Sequence, residues 1–175
     1  MFVARPLDGL PVYGPPALSF PTPGAFREGF VVEFELAGRG SWVGNFAKWD
    51  DNHPNAVFSD LGSSAVVVIA GGEGYIIDAE KRQLIREIGF DLQHIWFDSG
   101  LQAVVVSNGL RFEAFDAHRI FWQTRRISWD GLRTVERVGL SVTGEALDIP
   151  TDQWLPFRLD LQAGEVVGGS DSAPN

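Results

Sequence analysis

The sequence predicts an all-β fold of antiparallel sheets repeated in tandem, preceded by an extended, proline-rich N-terminal arm. Three observations predict it. From Phe30 onward, apolar runs of four to seven residues are bounded by Gly and Asp corners, the pattern of short strands with turn punctuation. No stretch keeps a 3.6-residue period for more than two turns; the best helical candidate, Asp78–Glu87, is interrupted by the residues after it. Three segments share one plan, in which an apolar strand turns into a second strand that ends in Asp and a tight turn leads to a third.

Residues 1–29 carry six of the ten prolines, at positions 6, 11, 15, 16, 21 and 23. Proline removes a backbone donor and biases its neighbours toward extended geometry, so the segment reads as an arm and not as a helix or a central strand. Phe2, Val3, Leu10, Val12, Tyr13, Leu18, Phe20 and Phe26 are too many apolar groups for a solvated linker, so the arm is expected to lie across the domain and cover sheet. A single all-β domain is expected over 30–170, with a disordered tail at 171–175. Within it Phe30–Leu36 alternates apolar and acidic residues at its end, Ala37–Gly40 is a hairpin turn, and Ser41–Phe46 returns. Trp49–Asn55 is a polar loop.

The first repeated segment runs Ala65–Ala70, Tyr75–Asp78 and Gln83–Ile88; the second runs Ala103–Asn108, Leu110–Asp116 and Ile120–Thr124. The third runs Gly139–Ala146, Trp154–Asp160 and Glu165–Val167, and Val31–Phe46 reads as an earlier, more diverged unit. The recurring Asp has a local cause. Its carboxylate can accept backbone N–H groups two or three residues on, and Gly164 supplies the positive φ that one such turn needs. From Asp78 to Asp116 is 38 positions and from Asp116 to Asp160 is 44, a period in the range of propeller blades.

On these residues a resemblance rests. Tyr75-Ile-Ile-Asp-Ala-Glu-Lys-Arg-Gln-Leu-Ile and Phe157-Arg-Leu-Asp-Leu-Gln-Ala-Gly-Glu-Val-Val are similar to the inner hairpins of β-propeller blade repeats of the quinoprotein type, over about residues 57–168. The blade-closing Trp of that family has a counterpart in Trp122. The resemblance implies blade-like sheets, as a propeller-like ring or a partly open sheet stack; three or four units favour the stack.

Composition narrows the functional classes. The chain has 175 residues, 45% hydrophobic and 21% charged, enough for a real core. It has no Cys, which excludes disulfides, a thiolate nucleophile and Cys-ligated zinc. A net charge of −9 argues against nucleic acid and against an anionic membrane surface as partners, and toward a basic protein or cationic ligand. Of the basic residues only Lys48 and Lys81 are lysine. No basic, then apolar leader is visible and the longest apolar run, Ala65–Ala70, is too short for a bilayer, so a cytoplasmic location is expected.

Four places could carry chemistry. Gly71-Gly-Glu-Gly74 could cradle a phosphate only if it opened a helix; Tyr75-Ile76-Ile77 continues as strand, so it is a hairpin turn. Asp50, Asp51, Asn52 and His53 lack the alternating oxygens, Gly and distal Glu of a calcium loop, and His53, His94 and His118 are far apart for zinc; this loop, like Asp148–Asp152, reads as local Asx turns. Ser, His and Asp are present without a nucleophile elbow, and carboxylates such as Asp98 and Asp116 could pair by chance, Asp116 already having its turn-capping role. No catalytic residue, metal ligand or cofactor is assigned.

The most distinctive stretch is Trp122–Gly131. Trp122, Arg125, Arg126, Trp129 and Asp130 have the composition of an interface hot spot and form the candidate binding cluster; packing of the two Trp in the core with local Arg pairing is the competing structural role. The expected function is a non-catalytic interaction module, in its concrete form an acidic inhibitor or immunity-type protein that masks a basic partner. A carbohydrate or small-ligand binding β domain using exposed Trp is the alternative, and an unrecognised hydrolase the third.

Overall fold

The computed structural model describes residues 2–24, 27–61 and 64–174; Phe26, assigned above to the arm, lies outside them. Among the described residues there is no α-helix, only short strands and one 3-10 turn at Ile149–Thr151. The strands form four four-stranded sheets in tandem, none closed into a barrel. The chain divides into two compact units, Met1–Leu92 and Gln93–Asn175, each holding two of the sheets.

The first sheet joins β1 (Phe2–Leu7), β2 (Leu18–Phe20), β3 (Phe30–Leu36) and β4 (Gly40–Phe46) in the order β1-β3-β4-β2. β3 and β4 are the expected hairpin, closed by Arg39 N–H on Leu36 O at 3.0 Å with Gly38 and Gly40 at φ 72° and 78°. The proline-rich segment supplies both edges. β1 pairs antiparallel with β3 from Phe2↔Leu36 to Leu7↔Val31, and β2 lies parallel to β4. Pro6 sits in this ladder because an edge strand uses only one side of its backbone. Since β1 and β2 lie on opposite edges, residues 8–17 must cross the sheet between them.

The second sheet is a sequential meander of β5 (Ala56–Phe58), β6 (Ala65–Ala70), β7 (Glu73–Asp78) and β8 (Gln83–Gly89). Gly71 and Gly72, at φ 49° and 79°, make the two-residue turn between Ala70 and Glu73, and Asp78–Glu87 is a turn followed by strand. A two-residue loop with positive φ at both positions matches the strand twist, which is why glycine stands at each. Aromatic rings fill the space between the two sheets of this unit. Phe34 stacks on Trp42 at 4.1 Å, Phe20 on Phe46 at 5.0 Å, and Phe46 meets Tyr75 at 5.6 Å. The polar ends of this layer are satisfied: Tyr75 Oη donates to Ala47 O at 3.0 Å and Trp42 Nε1 to Ala79 O at 2.9 Å.

In the other unit, β9 (His94–Asp98), β10 (Ala103–Ser107), β11 (Phe112–Phe115) and β12 (Ile120–Gln123) form one meander. β13 (Leu132–Val138), β14 (Ser141–Asp148), β15 (Gln153–Asp160) and β16 (Val166–Gly168) form the next. Val105, Phe112 and Ala114 pack with Ile127, Val142, Phe157 and Leu159 in the core of this unit. The two units share a device. Trp42 Nε1 donates to the carbonyl of Ala79, which comes directly after Asp78; Trp122 Nε1 donates at 3.0 Å to the carbonyl of Leu161, directly after Asp160.

The repeated Asp residues cap their turns. Asp78 Oδ1 accepts the N–H of Glu80 and Lys81 at 3.1 and 3.0 Å, Asp116 those of His118 and Arg119 at 2.7 and 2.8 Å, and Asp160 those of Gln162 and Ala163 at 2.8 and 3.0 Å. A further cap, not anticipated, is Asp98 on Leu101 N–H at 2.8 Å. Each meander also begins with a strand that the sequence pattern does not announce: β5 is three residues long, β9 is half-buried almost throughout, and β13 is largely exposed and polar.

Candidate functional site

Trp122, Arg125, Arg126 and Trp129 of the Trp122–Asp130 cluster each make contacts within the chain. Arg125 lies half-buried and donates Nη1 to Arg126 O and Ser170 O at 3.1 and 2.9 Å, and Nη2 to Gly168 O and Asp171 Oδ1, both at 2.8 Å. Arg126 donates Nε to Ser128 O at 2.9 Å and Nη2 to Trp129 O at 2.6 Å. The rigid guanidinium fork suits such bracing of several carbonyls at once. The Trp122 indole lies so close over Gly164 that a Cβ there would stand 2.5 Å from the ring, and Trp129 Nε1 donates to Ser172 Oγ at 3.3 Å. Asp130 alone of the five is exposed. Asp171 and Ser172, placed by the sequence in the tail, are thus hydrogen-bonded.

The candidate carboxylates are engaged in the same way. Asp148 accepts the hydroxyls of Ser170, Ser172 and Thr151, which hold it below the usual carboxylate range, Ser170 first. Asp98 is buried, with Arg137 Nη2 at 2.6 Å, while Asp116 caps its turn. In the 49–55 loop Asp50 Oδ1 accepts the N–H of Asn52 and of His53 at 2.8 and 2.9 Å, the expected Asx turn. Among the described residues no group of three His, Cys, Asp or Glu could hold a metal ion. None of their helices is long and apolar enough to cross a membrane.

A groove in the first unit has no counterpart among the sequence expectations. Residues 8–17, crossing from β1 to β2, enclose a cavity of about 630 Å³ with the outer face of the first sheet. Pro11, Tyr13, Pro15 and Pro16 line it from the crossing segment, and Leu7, Leu18 and Val43 from the strands. Its polar lining is Glu33, Ser41 and Arg82. Tyr13 is 90% exposed and Val12, beside it, 86%, so large apolar groups stand in water at this site. Glu33 is fixed: Arg5 donates to it from Nε at 2.9 Å and Nη2 at 2.7 Å, which lowers the carboxyl and raises the guanidinium pKa. The signal was present as the surplus of apolar residues among the prolines, but their destination depends on which sheet edges the flanking strands take.

A smaller cavity, about 200 Å³, lies against β4 and the loop after it, lined by Arg27, Lys48, Trp49, Asp50 and Asp51 among others. Asn45 in its wall is committed, accepting Gly29 N–H at 2.8 Å and donating to Arg27 O at 3.0 Å.

No protein family and no curated protein matches the chain. Among solved structures it is similar to the computationally designed protein Ika8, at 15% identity and a TM-score of 0.43, over 82% of this chain and 46% of that one. It is also similar to a eukaryotic initiation factor, at 9% identity and a TM-score of 0.41, over 84% of this chain and 42% of that one. The chain spans less than half the length of either.

Proposed function

We propose that the chain is a non-catalytic interaction module that binds an extended segment of another protein in the groove between residues 8–17 and the first sheet. The observation that carries this is the groove itself: about 630 Å³, with Pro, Leu and Val making up half of its lining residues and Tyr13 standing 90% exposed at it. Water around such a surface is released when an apolar side chain enters, and rigid Tyr and Pro groups lose little entropy in taking it. The partner segment carries an aliphatic or aromatic anchor flanked by Lys or Arg. Its charge complements the −9 of this chain and the exposed Glu35 on the same sheet face as Glu33. The relation of the sheets to quinoprotein-type blades belongs to the same proposal and rests on the Asp-capped turns after β7, β11 and β15.

The test is selection of a displayed random-peptide library on the intact chain, with Val43→Arg as counter-target. Val43 is half-buried opposite Glu33 in the β3–β4 register, so Arg there gains an opposite-charge neighbour while filling the groove. Enriched peptides should carry an apolar residue flanked by cations and lose at least tenfold in affinity to Val43→Arg. Association should slow as salt rises. Peptides that bind both proteins equally, or no enrichment, would overturn the reading. The groove volume also falls in the range of small-molecule sites, and saturable binding of apolar dyes with no peptide enrichment would favour that second reading.

A further inference from the structure

The tightest group of titratable side chains outside the groove surrounds His53. Its Nδ1 lies 2.7 Å from Asp50 Oδ1 and its Nε2 2.8 Å from Asp91 Oδ1. An ionised carboxylate only accepts hydrogen bonds, so both ring nitrogens must donate, and only the imidazolium can do that. The two contacts differ in kind. Asp50 belongs to the same turn as His53 and is held there by two backbone N–H groups. Asp91 is 38 positions away, in the segment after β8, with φ 58°. The charged groups on the surrounding elements are Asp51, paired with Lys48 at 3.1 Å, and Glu73, directly after the glycine turn whose Gly72 packs on the His53 ring. Immediately before the two Asp residues stand Trp49 and Phe90. Their rings meet at 5.0 Å although they are 53% and 60% exposed.

We propose that His53 is a proton-operated latch: the imidazolium ties the 49–55 loop to the segment after β8, and loss of its proton releases the Asp91 end and parts Trp49 from Phe90. A neutral ring keeps one N–H, which stays with the local Asp50; the lone pair then faces Asp91, and that contact becomes repulsive. The hydrogen bond to Asp50 raises the His53 pKa most; burial, next in size, lowers it, and the hydrogen bond to Asp91 adds to the rise, leaving the pKa above its ordinary value. A raised imidazole pKa means that the latch is fully closed below the ordinary value, about 6.5, and opens as pH rises through the higher one. Trp49, Asp50 and Asp51 also wall the 200 Å³ cavity, so opening changes its shape.

The experiment is a pH titration of the full chain by NMR, following the imidazole C–H signals, assigned with His53→Gln, and the Phe90 ring signals. His53 should titrate with a midpoint above 6.5, and the Phe90 signals should move with that same midpoint. In Asp91→Asn the amide can accept from, or donate to, the ring, so the contact persists in both protonation states; Asn also tolerates positive φ. There the His53 midpoint should fall and the Phe90 signals should no longer follow it. A His53 midpoint at or below 6.5, Phe90 signals unmoved through it, or Asp91→Asn behaving as the wild type would each overturn the latch.

Discussion

At the scale of single residues, the turn after β7 shows how one position can be occupied by unlike residues. The residue four beyond the capping Asp takes positive φ in three turns: Arg82 at 57° after Asp78, Gln102 at 51° after Asp98, and Gly164 at 70° after Asp160. For a residue with a Cβ this conformation costs about 1 kcal/mol or more, and glycine avoids it. Arg82→Gly should therefore stabilise the chain by roughly 0.5–1 kcal/mol, the gain being reduced by the greater freedom of an unfolded glycine. Urea unfolding at neutral pH checks it, and a lower midpoint would refute it. Gly164 has a second constraint, the Trp122 ring packed on its Cα. The Asp caps were legible in the sequence because capping is a property of a side chain and its own backbone. The positive φ at Arg82 and Gln102 was not, since no glycine marks it and the turn geometry forces it.

Among the elements, the strands that read clearly are those buried along their length. β6 and β10 are buried at every position, and continuous Val runs announce them. The missed strands are outermost in their sheets, where exposure of one face permits the polar sequence of β13 and the brevity of β5. β1 and β2 were hidden by proline for the same reason: an edge can spare the donor that a central strand cannot. The indole hydrogen bonds are the clearest tertiary device shared by the two units. Trp42 and Trp122 each hold the carbonyl next after a capped Asp, one in either unit. Replacing either by Phe leaves that carbonyl short of a donor and trims packing. Each substitution should cost about 2–3 kcal/mol. Thermal or urea unfolding of Trp42→Phe and Trp122→Phe tests this; a loss under about 0.5 kcal/mol in either would refute a stapling role for that indole. For Trp122–Asp130 the sequence left two roles open, a binding cluster or core packing with local Arg pairing, and four of the five residues make contacts within the chain. Trp and Arg are the residues that anchor interfaces, and they anchor a chain to itself with the same geometry.

Across the whole molecule, the directions of the shifted pKa values combine into a pH–stability curve. Glu33, Asp50, Asp78, Glu145, Asp148 and Asp160 are all lowered, by hydrogen bonds from side chains or backbone N–H groups, at Asp78 despite burial. A lowered carboxyl pKa gives stability that is present above the unfolded value, about 4, and lost as pH falls through the folded one. Glu73, raised by burial, works in the opposite sense but is one group against six. Near neutrality two histidines oppose each other. Burial lowers His94, so the unfolded chain takes up the proton first and stability rises with pH until about 6.5. His53 is raised, so the folded chain holds the extra proton and stability falls as pH climbs beyond about 6.5 toward its folded value. The sum is a dome with its maximum near pH 6.5, falling away in acid through the carboxylates. Urea midpoints taken from pH 3 to 9 should trace this dome, and His53→Gln should flatten its alkaline side while leaving the acid side in place. A midpoint that keeps climbing from pH 6.5 to 8 in the wild-type chain would contradict it, because no histidine then holds its proton more tightly in the folded state than in the unfolded one.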